Sequence, residues 1–127
     1  MGVRGIRGAT TVPRNEPEEI RSAVRELIFA IVQENDLKPD EIASITITST
    51  PDLNAAYPAS AIRTLPNWEL VPIIGACELD VPGSLPRCIR LMILVNTDKS
   101  PQEIRHVYLN EAISLRPDLA EKNVIDK

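Results

Sequence analysis

Aromatic side chains are scarce in this chain of 127 residues, which holds one Trp, one Phe and two Tyr. A core built from it must be aliphatic, and no series of rings is available on which nucleic-acid bases could stack. Basic charge is also short: 14 Lys and Arg face 18 Asp and Glu, for a net charge of −4 and a pI near 5.0. A phosphate backbone needs the opposite balance, which argues against nucleic acid as a partner. The single histidine, His106, leaves little for general acid–base schemes. It makes no metal-ligand spacing with the two cysteines, Cys77 and Cys88. Both cysteines stand in apolar, strand-like company and read as reduced core residues. No apolar run approaches the roughly 20 residues that cross a bilayer, and the first residues carry no apolar signal core. No membrane partner and a cytoplasmic location are therefore expected. Also missing are Gly-x-Gly-x-x-Gly, a Gly-Lys-Ser phosphate loop, Gly-x-Ser-x-Gly and any His/carboxylate metal cluster. No cofactor and no metal is expected.

What is present is aliphatic and β-branched, at a length that suits one domain over residues 1–127. The run Cys88-Ile89-Arg90-Leu91-Met92-Ile93-Leu94-Val95-Asn96-Thr97 predicts a central strand buried on both faces, with Arg90 among core residues. A guanidinium there needs an anion, because an unpaired buried charge costs several kcal/mol, roughly. That anion is either a carboxylate of the protein, such as Glu78 or Asp80, or one that arrives from outside. Residues 3–12 predict a first strand. Its Arg7, between Gly5 and Gly8, is either a strand-end arginine in solvent or marks a close approach by a ligand or another backbone.

Asn15, followed by Pro17 and Glu18, predicts a helix N-cap. Ile20, Val24, Leu27, Ile28 and Ile31 then recur at helical spacing, as expected of a helix lying over a sheet and ending near Asn35-Asp36. Arg21 and Arg25 fall on its solvated face. Residues 43–50 alternate as a second strand with Ile45 and Ile47 inward and the threonines on its other side. A brief helix is expected at 57–63. A third strand over 69–75 contains Pro72, which places it at an edge or a bulge. A short last strand is expected at 104–109, and the polar residues 115–127 are expected to form a mobile tail.

Ten arginines against four lysines favour planar, bidentate recognition of carboxylate or phosphate. Arg7, Arg90 and Arg105 on strands, with Glu78, the tyrosines and Arg116 on the tail, could hold a small dianion. They could stabilise developing charge by fixed electrostatics, without a covalent bond.

Several segments in collinear order resemble the monofunctional chorismate mutases of the trimeric α/β class. They are Arg4-Gly5-Ile6-Arg7-Gly8-Ala9-Thr10-Thr11, Thr50-Pro51-Asp52-Leu53 with Tyr57-Pro58-Ala59, Glu78 with Asp80-Val81, Cys88-Ile89-Arg90, Arg105-His106-Val107-Tyr108-Leu109 and Leu115-Arg116-Pro117-Asp118-Leu119. The resemblance implies an α+β subunit, a mixed β-sheet packed against one long helix, assembled as a pseudo-α/β-barrel homotrimer with active sites between subunits. It implies the rearrangement of chorismate to prephenate in phenylalanine and tyrosine biosynthesis, a one-step Claisen-type reaction that needs neither nucleophile nor cofactor. By the same resemblance Arg90 would be the principal catalyst, donating to the ether oxygen, and Glu78 would orient it and accept from the substrate hydroxyl. Arg7 would bind a substrate carboxylate and Tyr108 would help position it. Tyr57 and the segment Ile74, Gly75, Ala76 and Cys77 would form the facing wall from a neighbouring subunit, with Arg63 and Arg116 at the mouth. The chain departs from the family pattern at Gly75, where several relatives carry a thiol or hydroxyl, and at Ser60, where some carry a longer polar side chain. Two other functions compete: an enzyme on a similar trimer that hydrolyses enamines or imines, and a regulatory subunit that keeps the dianion site without the chemistry.

Overall fold

The computed structural model describes residues 2–119. In chain order the elements are β1 (Gly2–Thr11), α1 (Pro17–Asn35), β2 (Ile42–Ser49), α2 (Ala59–Arg63), β3 (Ile73–Cys77), β4 (Cys88–Thr97) and β5 (Val107–Tyr108). The strands form one mixed sheet in the order β3-β2-β4-β1-β5. β4 runs antiparallel to both β1 and β2, whereas β3 and β5 add in parallel at the two edges.

One face of this sheet is the core. Ile20, Val24, Leu27, Ile28 and Ile31 of α1 are all buried, as their spacing predicts, and meet Ile6, Ile45, Ile47, Ile89, Leu91, Ile93 and Val95. Pro17 opens the helix and Asp36 closes it in the left-handed region at φ 49°. The predicted cap does not form. Glu16 occupies the N-cap position without a side-chain bond, and Asn15 turns away to bind Asn54, accepting from the Asn54 and Ala55 backbone N–H groups at 3.1 and 3.0 Å. Asn15 thereby ties the helix start to the loop that carries Tyr57. At the other helix end the Asn35 side chain donates to the carbonyls of Ile31 and Arg105 and accepts from the Arg105 N–H at 2.9 Å.

Three further expectations are corrected. β4 is buried on one face only: Ile89, Leu91, Ile93 and Val95 point into the core, while Arg90, Met92, Leu94 and Asn96 are exposed on the other. A strand in mid-sheet reads as fully apolar here because Met92 and Leu94 are apolar without being covered by the described residues. The strand predicted over 69–75 begins only after Pro72, which lacks the N–H a ladder needs. The Pro72 carbonyl still accepts from Ile45 N–H at 2.9 Å, and β3 is an edge strand as expected. Cys77 is exposed at the end of that edge, not in the core, whereas Cys88 is buried; both are free thiols.

Among the described residues the second face of the sheet is covered only at one end, where Ala9, Tyr108 and Ala112 form a small cluster with Leu85 and Leu119. Elsewhere Val3, Ile74, Met92 and Leu94 are exposed. Residues 120–127 of the expected mobile tail lie outside the described residues.

The glycines beside Arg7 have a structural reason of their own. A Cβ at Gly8 would stand 2.7 Å from Ile31 Cδ1 and 3.1 Å from Leu91 Cδ1, and one at Gly5 would stand 2.8 Å from Met92 Sδ. Gly8 lets the side chains of α1 and β4 lie close on this strand. Gly8→Ala is expected to destabilise the fold by about 1–3 kcal/mol, the usual cost of overpacking. A urea titration would register this as a lower midpoint at unchanged slope.

Candidate active site

Strand register brings the predicted residues together. Ala76 of β3 pairs with Thr48 of β2, Thr48 with Arg90 of β4, Arg90 with Ala9 of β1, and Ala9 with Tyr108 of β5. These five form a single rung across the open face. The next rung carries Ile74, Thr46, Met92 and Arg7. Ala9 is the small member between Arg90 and Tyr108 and is fully buried.

Glu78 follows β3 and returns over this rung, held by its backbone N–H to the Ser49 carbonyl at 2.9 Å. Its carboxylate is met by Arg90 in a fork: Nε to Oε2 and Nη2 to Oε1, each at 2.7 Å. Arg90 therefore has the internal carboxylate that one reading required, yet its side chain remains 54% exposed, against 18% for Glu78. The pair lines a cleft of about 240 Å³ with Arg7, Thr46, Thr48, Met92 and Tyr108, so Arg90 is both paired and open to an incoming group.

The charges in this cleft are fixed over a wide pH range. The hydrogen bond from Arg90, aided by Thr48, holds the Glu78 carboxyl below its ordinary range against the opposing effect of burial. Glu78 in turn raises Arg90. Burial pushes the Tyr108 phenol up, although Arg7, Arg116 and Arg90 pull the other way. Tyr108 is thus a neutral donor. Burial also pushes the Cys88 thiol up to about 11, which makes it a poor nucleophile. Among the described residues no group of His, Cys, Asp and Glu could hold a metal ion.

The other predicted residues do not line this cleft. Tyr57, Arg63, Ile74, Gly75, Ala76 and Cys77 line a separate groove of about 1000 Å³ along the β3 edge and α2. It shares no lining residue with the Arg90 cleft. Tyr57 is 82% exposed and Ile74 is 68% exposed, unusual for an aromatic and an aliphatic side chain. Parallel pairing with Ile47 and Ser49 turns Gly75 and Cys77 towards the helix-covered face, away from Arg90. Arg116 is held by Asp118 at 3.0 Å and stands within electrostatic reach of Tyr108. Arg105 lies before β5, its backbone bound by Asn35 on the helix side, and does not line the cleft. Arg21 and Arg25 pair with Glu18 on the helix surface, as expected of a solvated face.

Thr48 was missed as a member of the site. Its hydroxyl donates to Glu78 Oε2 at 2.5 Å. The alternation of β2 shows that the threonines face away from the core, but only the β2–β4 register sets Thr48, rather than Thr46, beside Arg90.

Comparison with known proteins gives one answer. The family model for chorismate mutase type I matches residues 3–119. The chain is 47% identical over 120 residues to the chorismate mutase AroH of Bacillus subtilis, covering 94% of each. It is 48% identical over 118 residues to the chorismate mutase AroH of Thermus thermophilus, covering 92% of this chain and 96% of that one. Its fold superposes on the chorismate mutase from Clostridium thermocellum with a TM-score of 0.84 at 46% identity, over 87% of this chain and 98% of the other. With Arg90, Glu78, Arg7 and Tyr108 converging on one open cleft, and with these likenesses spanning almost its full length, the chain belongs to the type I chorismate mutases, isomerases that convert chorismate to prephenate.

Proposed function

We propose that this single-domain chain rearranges chorismate in a cleft completed by a second subunit of a homotrimer, with Arg90 as the principal catalyst. The observation that carries this reading is the Glu78–Arg90 fork at the floor of an open cleft. Glu78 occupies Nε and Nη2, which leaves Nη1 to meet the ether oxygen as the C–O bond breaks and negative charge gathers there. A donor fixed in advance at such a point stabilises the transition state more than the ground state. Arg7 takes a substrate carboxylate, Tyr108 donates to position it, and Glu78 accepts from the ring hydroxyl. Holding the flexible substrate in its compact reactive shape supplies a further part of the rate.

Two features support a shared cleft. At about 240 Å³ the Arg90 cleft is below the roughly 300–1,000 Å³ of ordinary ligand sites. The predicted facing wall, Tyr57 with Ile74 to Cys77 and Arg63, lines no part of the Arg90 cleft in its own chain and is exposed, as a surface awaiting a neighbour would be. Arg116 then stands at the mouth with the tail beyond it. The reduced thiols suit a cytoplasmic enzyme.

The test is to incubate the purified chain with chorismate and follow loss of its absorbance together with formation of prephenate. Because Glu78 is held low, and Arg90 and Tyr108 are raised, kcat is expected to stay flat from about pH 5 to about pH 9, inside the ordinary Glu and Tyr values. Unchanged chorismate would favour the enamine-hydrolysing or regulatory alternatives. A bell centred near neutrality would mean that a group other than these three carries the reaction.

A further inference from the structure

We infer that Thr48 is a positioning residue that closes one oxygen of Glu78 and so assigns the other to the substrate hydroxyl; the inference rests on the function proposed above. Among the described residues Oε2 of Glu78 accepts twice, from Thr48 Oγ1 at 2.5 Å and from Arg90 Nε at 2.7 Å, whereas Oε1 accepts from Arg90 Nη2 alone. A carboxylate oxygen has about two lone-pair sites. Oε2 is therefore filled and Oε1 keeps one acceptor position free. Only that position is open to an incoming hydroxyl.

Thr48 is suited to this task by its backbone. It pairs directly with Arg90 across the β2–β4 ladder, where facing side chains on one face stand closest. Being β-branched, it has few rotamers to choose from. Its hydroxyl thus holds Oε2 from the strand opposite Arg90, and the carboxylate is gripped from two sides. Without that grip Glu78 could pivot about the arginine fork and offer Oε2 as well, so the ring hydroxyl would be received in more than one pose and Nη1 would be less well aimed.

The test compares the full-length protein with Thr48→Val, which exchanges a hydroxyl for a methyl of similar size, and with Thr48→Ser, which restores the donor. Thr48→Val is expected to lower kcat about tenfold, the scale of losing one charge-assisted hydrogen bond at the site. Its preference for chorismate over an analogue lacking the ring hydroxyl should narrow by a similar factor. Its acid limb should move to higher pH, because one of the bonds that lowers Glu78 is gone. Thr48→Ser should recover most of each change. Thr48→Ala carries the same expectations and serves if the valine variant does not fold. Turnover within about twofold of the parent overturns the inference. So does a fall in kcat with hydroxyl preference and acid limb unmoved, which would give Thr48 a purely structural role. A parent protein that leaves chorismate unchanged overturns the proposed function and this inference together, whereas an active parent with an indifferent Thr48→Val overturns this inference alone.

Discussion

Arg90→Ala is expected to lower kcat at least about a hundredfold while the fold is kept, since one preorganised donor to a developing oxyanion is worth about 3–4 kcal/mol. The fold should survive because Arg90 projects from the face of β4 away from the main core, with its side chain half exposed. What changes is local. Glu78, mostly buried, loses the partner that chiefly holds its carboxyl below the ordinary range. In the parent the pair favours the folded state above the ordinary carboxylate pKa, and that contribution fades as pH falls through the lowered value. Arg90→Ala should therefore also flatten the acid side of the stability profile. Arg90→Lys keeps the charge but not the planar fork: a lone ammonium cannot span both oxygens of Glu78 and still present a third nitrogen to the ether oxygen. It should remain far below the parent in a steady-state assay. Near-normal turnover in Arg90→Ala would remove Arg90 from the mechanism.

The elements were legible where hydrophobic period was strong. The 3.6-residue rhythm from Ile20 to Ile31 and the alternation through Ile45 and Ile47 state which side is buried, and both agree with the structure. The reading failed where two causes produce the same pattern. An apolar run such as 88–97 arises equally from a strand buried twice within its chain and from one whose second face is uncovered there, so Arg90 was wrongly set among core residues. Asn15 has the chemistry of a cap, but the backbone of Asn54 and Ala55 offers it competing donors that only tertiary structure supplies. The site was harder still. Arg7, Thr48, Glu78, Arg90 and Tyr108 are scattered through the chain and meet by register across four strands and the loop after β3, information absent from local sequence. Elimination of motifs and the arginine skew led to an anion site, and only likeness to a family led to its substrate.

A second large effect is expected from Leu94→Glu. Leu94 lies in the middle of β4, pairing with Gly5 and Ser44 on the face that carries no helix. With Val3, Ile74 and Met92 it makes an apolar surface exposed in the single chain, the kind of patch that marks a protein–protein contact. A carboxylate there costs little in an isolated subunit, since the position is open to water. Buried at a contact between copies without a partner it costs several kcal/mol, roughly, and symmetry repeats that cost in every copy. Light scattering should therefore report a homotrimer for the parent and a monomer for the variant, with the Arg90–Glu78 fork intact in each folded chain. Turnover should fall more than about a hundredfold all the same, because a half-cleft without its facing wall neither excludes water nor holds the substrate in its reactive shape. If the monomer converts chorismate at the parent rate, the catalytic constellation is complete within one chain, and the groove beside Tyr57 and Ile74 has no part in it.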